Sequence, residues 1–299
     1  MNHEIDMTST DIELRSVRRD RQLMMGFLIF VCCILFLLAD VATPTMFSEP
    51  IPGLIFLNIV VAQLTMICVW GTLVRGTLWI RLPWTLLLLV VSWEALSYGL
   101  QLERGFSATG ALGLGLAWIY GFVVSFVPLK IAGFVFRWQI IRPDEMELVG
   151  RREQYALRDV MIGMSLLAVA MALGRAMFPE ESITWSEVVN ASVFGEHEGI
   201  VIMFIYAVAS LIIKMPCIWI ALAAPTEKIL QYSIMWAFYC MVVSVLEVVL
   251  FISILGGGGP EGEIFIGFIL GHETMGSIVL GVMLLLRFSG YRMECGLGR

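Results

Sequence analysis

Four ionisable residues stand in otherwise apolar runs and carry whatever chemistry this chain can do: Glu94, Glu247, His272 and Glu273. Each run is long enough to cross a bilayer, where a buried charge costs at least about 2.5–3.5 kcal/mol on insertion scales. At a rise of about 1.5 Å per residue, all four lie about 10–15 Å below one surface. Arg175 lies nearer that surface. Lys130 and Lys214 lie toward the opposite side, each within two residues of a proline, Pro128 or Pro216. Carboxylates and an imidazole exchange protons, so the set suits a proton or cation path through a helix bundle. The same residues also suit a purely structural role. The acids would then pair with Arg175 or with hydroxyl and backbone donors, and the two lysines would snorkel to the inner interface.

A metal site is the weaker chemical alternative. His197, Glu198, His272 and Glu273 offer imidazole and carboxylate ligands of the kind zinc, iron or manganese takes. The supply is thin, because the chain has three histidines and His3 lies in the N-terminal tail. His272-Glu273 also lacks the x-x-His that completes a helical zinc motif. The glycine run from Gly256 to Gly259, closed by Pro260, has neither the Lys-Ser/Thr nor the strand-to-helix setting of a phosphate loop. No catalytic or cofactor motif is present, and no cofactor is expected.

The elements that must hold these residues are membrane helices. Hydrophobic residues make up 59% and charged residues 15% of the 299, against roughly 25% charged in a soluble domain. The mean hydropathy is +0.87. A net charge of −6 leaves no general basic surface for nucleic acid, and none is expected as a partner. Of the six cysteines, Cys32, Cys33, Cys68, Cys217 and Cys240 fall in apolar runs and Cys295 in the tail, with no Cys-x-x-Cys pair. Neither a disulfide framework nor a zinc finger is indicated.

Eight apolar runs reach about 20 residues, the length of one crossing: 23–41, 54–74, 82–100, 111–136, 160–178, 199–224, 229–255 and 264–286. The first follows a long polar lead and is read as a retained helix rather than a signal peptide. With a cytoplasmic N-terminus, Arg104 is the one base in the outer loops, and the inner loops and tails hold the other loop bases, from Arg15 to Arg299. That is the positive-inside pattern. It puts the protein in the inner (plasma) membrane with both termini cytoplasmic.

The two halves also repeat. Arg21-x-x-Met24-x-Gly26 returns as Arg158-x-x-Met161-x-Gly163, and Met66-x-Cys68-Val69-Trp70 as Met215-x-Cys217-Ile218-Trp219. Glu94 corresponds to Glu247, and Leu129-Lys130-x-x-Gly133-Phe134 to Leu286-Arg287-x-x-Gly290-Tyr291. The offsets rise in order through 137, 149, 153 and 157 residues. Four helices per copy is an even number, so the copies run parallel about an axis along the membrane normal, unlike inverted transporter repeats. The expected plan is an all-α polytopic bundle. It has a cytoplasmic tail (1–22), a first four-helix repeat (23–136), a basic cytoplasmic linker (137–158), a second repeat (159–288) and a C-terminal tail (289–299). Gly110, Gly113 and Gly115 in the fourth helix, with Gly267, Gly271, Gly276 and Gly281 in the eighth, predict that these two helices pack together.

The junction Gln154-Tyr155-Ala156-Leu157-Arg158-Asp159 and the tail Arg287-Phe288-Ser289-Gly290-Tyr291-Arg292 resemble uncharacterised multi-pass membrane proteins of planctomycete bacteria. Those proteins commonly carry Gln-Phe-Ser-Leu-Arg before a helix and an Arg-x-x-Gly-Tyr-Arg tail, and Tyr155-Ala156 departs from the usual Phe-Ser. The resemblance implies a bacterial membrane protein and no particular activity. Three functions follow in order of preference: a small transporter-like or ion-conducting protein working through its intramembrane carboxylates, a non-catalytic scaffold for other membrane proteins or for itself, and a membrane-embedded metal enzyme.

Overall fold

The computed structural model describes residues 31–44, 50–74, 78–104, 108–141, 197–254 and 262–294, with the isolated positions 27, 165 and 168. Helix α1 covers Val31–Pro44. Then follow α2 (Pro50–Leu73), α3 (Leu78–Arg104), α4 (Ala108–Val135), α5 (His197–Leu222), α6 (Ile229–Ile254) and α7 (Gly262–Phe288). Among the described residues six helices, α2 to α7, are long and apolar enough to cross a membrane. The expected helix over 160–178, which carries Arg175, lies outside the described residues, as do the N-terminal tail and most of the basic linker.

These helices are apolar on every side, as suits elements with protein on one face and hydrocarbon on the other. Helix α6 leaves Leu230, Ile234, Phe238, Val242, Leu246 and Val249 exposed, and α4 leaves Ile119, Val123, Val127, Ile131 and Phe134 exposed. Rows of that length at spacings of three and four suit a face turned to lipid. Helix α2 lies at the centre, against α3, α4 and, along much of its length, α7; α5 packs on α6 and α7. The main core joins Cys68, Val69, Ile213, Cys217, Met275 and Val279. Buried Thr65 and Thr72 of α2 donate to their own helix, to Val61 O at 2.8 Å and Cys68 O at 2.7 Å. No hydroxyl hydrogen is left unsatisfied there.

The described residues form a helical bundle as expected, and four finer points stand differently in the structure. The linker and the tail each add one short strand: β1 (Gln139–Ile141) pairs antiparallel with β2 (Arg292–Glu294), Ile140 opposite Met293. Both strands fall within the expected linker and tail. Each follows a residue in the left-handed region, Arg137 (φ 52°) after α4 and Gly290 (φ 96°) after α7. Such a residue ends a helix and turns the chain aside. Ile140 and Met293 are then buried, which ties the two halves together.

Second, Arg104, expected in an outer loop, is the last residue of α3, and two arginines expected in inner loops lie inside helices. Arg81 belongs to α3, is buried, and donates from Nη1 to Trp70 O at 3.1 Å. Arg287 belongs to α7 and donates to Ala221 O at 3.1 Å, Ala224 O at 2.6 Å and Thr226 Oγ1 at 2.9 Å. Each guanidinium meets carbonyls at a helix C-terminus, of α2 and α5 respectively, where the dipole favours a cation. Third, the glycine-bearing helices are not partners. A Cβ at Gly267 would meet Leu54 and one at Gly271 would meet Asn58, both on α2, and one at Gly276 would meet Trp236 of α6. Gly115 faces Trp93 of α3.

The fourth point concerns Lys214, for which the sequence leaves a path role and an interface role open; it is 2% exposed. It lies eight residues before Leu222, the end of α5, a distance of about 12 Å, too deep for a four-carbon stem to reach the interface. Lys130, five residues before the end of α4, is exposed as a snorkelling lysine would be.

Candidate functional site

Helix α2 separates two buried polar clusters. Asn58 and Gln63 are five residues apart, hence about 140° apart around the helix, and each serves a different cluster.

The first cluster lies among α2, α5, α6 and α7. Glu247 of α6 and His272 of α7 meet at 2.5 Å between Oε2 and Nε2, with side chains 1% and 0% exposed. The His272 ring is stacked against Tyr206 of α5, centroids 5.3 Å apart and planes inclined by 27°. The Tyr206 hydroxyl donates to Asn58 Oδ1 at 3.0 Å, and Asn58 Nδ2 donates to Leu54 O at 2.8 Å. This chain of contacts therefore fixes the imidazole from a helix that carries no charge. Phe268, one turn before His272, touches Tyr206 and Phe251 at 6.3 and 5.4 Å and forms an apolar wall. Two atoms of the pair, Glu247 Oε1 and His272 Nδ1, are buried and have no hydrogen-bond partner among the described residues.

Along α5 the polar side continues at intervals of four residues through Ser210 to Lys214, both buried. The Lys214 ammonium lies near the thiols of Cys68 and Cys217. No carboxylate among the described residues stands within salt-bridge distance of it. Glu273 follows His272 but diverges from it by about 100°, and its carboxyl rests against the Cys240 thiol.

Of the residues singled out from sequence, Glu247 and His272 are thus joined directly, with Glu273 and Lys214 on the same side of α2. Glu94 lies on α3, which packs on α2 and α4, apart from this cluster. Lys130 faces outward on α4. Arg175 and the side chains of His197 and Glu198 lie outside the described residues. Among the described residues no three His, Cys, Asp or Glu side chains come together as a metal would need.

A carboxyl and an imidazole sharing one hydrogen bond hold one mobile proton between two basic atoms. Shifting that proton between the two atoms leaves the pair neutral overall, whereas taking up or giving up a proton changes its net charge by one, a change that the buried site must offset.

The second cluster lies among α1, α2 and α3. Ser92 of α3 donates to Asp40 Oδ2 at 3.2 Å, and Gln63 of α2 reaches the same carboxylate. Asp40 and Ser92 are fully buried and Gln63 nearly so. Asp40 Oδ1 and Gln63 Oε1 have no hydrogen-bond partner among the described residues.

Comparison with known protein families, curated proteins and solved structures found no match.

Sequence reasoning missed Asp40, Asn58, Gln63, Ser92 and Tyr206. Asp40 was placed at the edge of a run ending at 41, but α1 continues to Pro44 and carries Asp40 inward by a turn. Asn58 and Gln63 were legible as amides inside an apolar run; their cost unpaired is the signal that was available. Tyr206 had none, since one tyrosine in an apolar helix reads as core or interface.

Proposed function

We propose that this chain is an integral membrane protein that moves protons, alone or with a cation, through a helix bundle, with Glu247 and His272 as the proton-exchanging pair. The observation that carries this reading is the direct, fully buried hydrogen bond between Glu247 and His272 across two apolar helices. A lone carboxylate there would be disfavoured. A carboxylate hydrogen-bonded to an imidazole has a partner that can hold the proton in its place. Ser210 and Lys214 extend the polar side of α5 away from the pair and supply further stations for the proton.

The surrounding plan is eight helices in two parallel four-helix units, both termini cytoplasmic, in a bacterial inner membrane. Three correspondences support the repeat. Glu94 and Glu247, the left-handed residues Arg137 and Gly290, and the strands starting at Gln139 and Arg292 are each separated by 153 residues. The helix ends therefore match at 153, not at the 157 read from the Leu-Lys and Leu-Arg motifs. Antiparallel pairing of β1 with β2 is what a two-fold axis along the membrane normal gives for equivalent segments lying in its plane. Close packing of α2 on α7, much more extensive than that of α4 on α5, departs from that symmetry.

The test is proton flux into proteoliposomes holding a pH-sensitive dye, with an imposed pH gradient. Wild type should pass protons, and Glu247→Gln, which keeps the shape but removes the titration, should abolish the flux while the protein stays inserted and folded. Flux surviving in Glu247→Gln removes this residue from the path. No wild-type flux, with a membrane partner co-purifying in fixed stoichiometry, would establish the scaffold function instead. Reporter fusions at Ser182 and Gly258 should lie outside and fusions near Arg151 inside; an inside signal at Gly258 sinks the eight-helix topology.

A further inference from the structure

We infer that Asp40, Gln63 and Ser92 form a binding site for one desolvated monovalent cation of the Na+ class, held between α1, α2 and α3. The site does not touch the Glu247–His272 pair and does not require it.

Three observations combine. The cluster is deep: Asp40 and Ser92 are 0% and Gln63 8% exposed. Apolar Val60, Leu64, Leu89 and Leu96, the chain neighbours of Gln63 and Ser92 at helical spacing, form one buried cluster at the same α2–α3 contact. The polar groups are unbalanced: Ser92 and Gln63 supply donors to Asp40, yet among the described residues nothing donates to Asp40 Oδ1 or Gln63 Oε1. In a native interior such acceptors find a partner, because leaving one unsatisfied costs about 1–3 kcal/mol.

The donor set then selects the partner. Carboxylate, amide and hydroxyl oxygens are hard ligands, and no sulfur or imidazole belongs to the cluster, which points to a hard cation. One carboxylate supplies one negative charge. A divalent ion would leave a net positive charge in an apolar interior, whereas a monovalent ion leaves none. The close approach of α3 to α1 makes the site stiff: Gly99 lies directly on the Val41 backbone, with no room for a side chain. Asp40 and Ser92 are therefore held in place by backbone contact, which preorganises the oxygens.

The competing partner for the same two acceptors is a proton on Asp40, donated to Gln63 Oε1. The experiment separates the two. The full-length protein in detergent is melted in NaCl and in choline chloride of equal ionic strength, at several fixed pH values. Na+ at about five times its dissociation constant should raise Tm by about 2–4 °C, and Asp40→Asn should lose the effect. Should Asp40→Asn fail to fold, Gln63→Leu should weaken it. Wild type alone gives a second readout: Na+ should protect Asp40 from carbodiimide labelling, followed by mass spectrometry. A Tm that follows pH and ignores Na+ makes Asp40 a proton site and overturns the proposal. So does a Na+ effect that survives in both variants, which places the cation elsewhere.

Discussion

The two buried clusters flanking α2 use the same materials to different ends. In the C-terminal half, Glu247 meets a second titratable group, His272, whose ring is held by Tyr206 and Asn58. In the N-terminal half, Asp40 meets only Ser92 and Gln63, which do not titrate. The first cluster can pass a proton between two bases; the second can only hold a positive charge, whether proton or cation. A buried carboxylate is therefore defined by its partner. Position in an apolar helix marks it as worth attention, and the neighbouring helix decides its chemistry.

The largest effect should come from removing the titrating partner. His272→Leu leaves Glu247 buried without its partner, and should lower stability in detergent by about 3–5 kcal/mol. Asp40→Asn keeps an acceptor for Ser92 and should lower it by about 1 kcal/mol. Chemical denaturation of both variants measures the contrast, and equal losses would show that the two clusters are held by the same kind of interaction.

Smaller effects should follow from crowding each cluster in turn. Gly99→Ala drives a methyl into the Val41 backbone, which cannot swing aside, and Gly271→Ala drives one into the Asn58 amide, which can. Both should destabilise, within the range of about 1–3 kcal/mol for overpacking, with Gly99→Ala the worse. Only Gly271→Ala should also reduce proton flux, because only Asn58 leads through Tyr206 to His272. Flux lost in Gly99→Ala at full folding would couple the clusters and break the distinction.

Tyr206→Phe keeps the ring on His272 and removes the bond to Asn58. It should lower stability by about 0.5–1.5 kcal/mol and slow flux by no more than about tenfold. A complete loss of flux would make the tyrosine hydroxyl a proton carrier. The smallest effect, of opposite sign, belongs to Gly281→Ala. Among the described residues no atom outside its own helix lies within 4 Å of the added methyl, so the helix should gain about 0.5–1 kcal/mol. A loss of stability there would show that α7 needs its glycines for more than contact with α2 and α6.

Much of this protein was legible before any coordinates. Apolar runs of bilayer length located α2 to α7 to within a few residues, because a backbone crossing hydrocarbon must satisfy its own hydrogen bonds and does so as a helix. The cost of burying charge singled out Glu247, His272, Glu273 and Lys214 for the same reason, since both arguments concern one element and its solvent. Partnership was not legible. In helices apolar all round, no moment tells which side faces protein, so the glycines of α7 point to the wrong helix and the sequence cannot choose between a path and an interface for Lys214. Asp40 was lost to a run boundary a few residues short. Which residue on α6 meets which on α7 depends on crossing angle and register, set by the packing of Gly276 on Trp236 and Gly271 on Asn58. The solvent, the helices and the candidate residues thus follow from the order of amino acids alone. The pairs come from packing, because a hydrogen bond between helices is fixed to within tenths of an ångström by contacts distant in the chain.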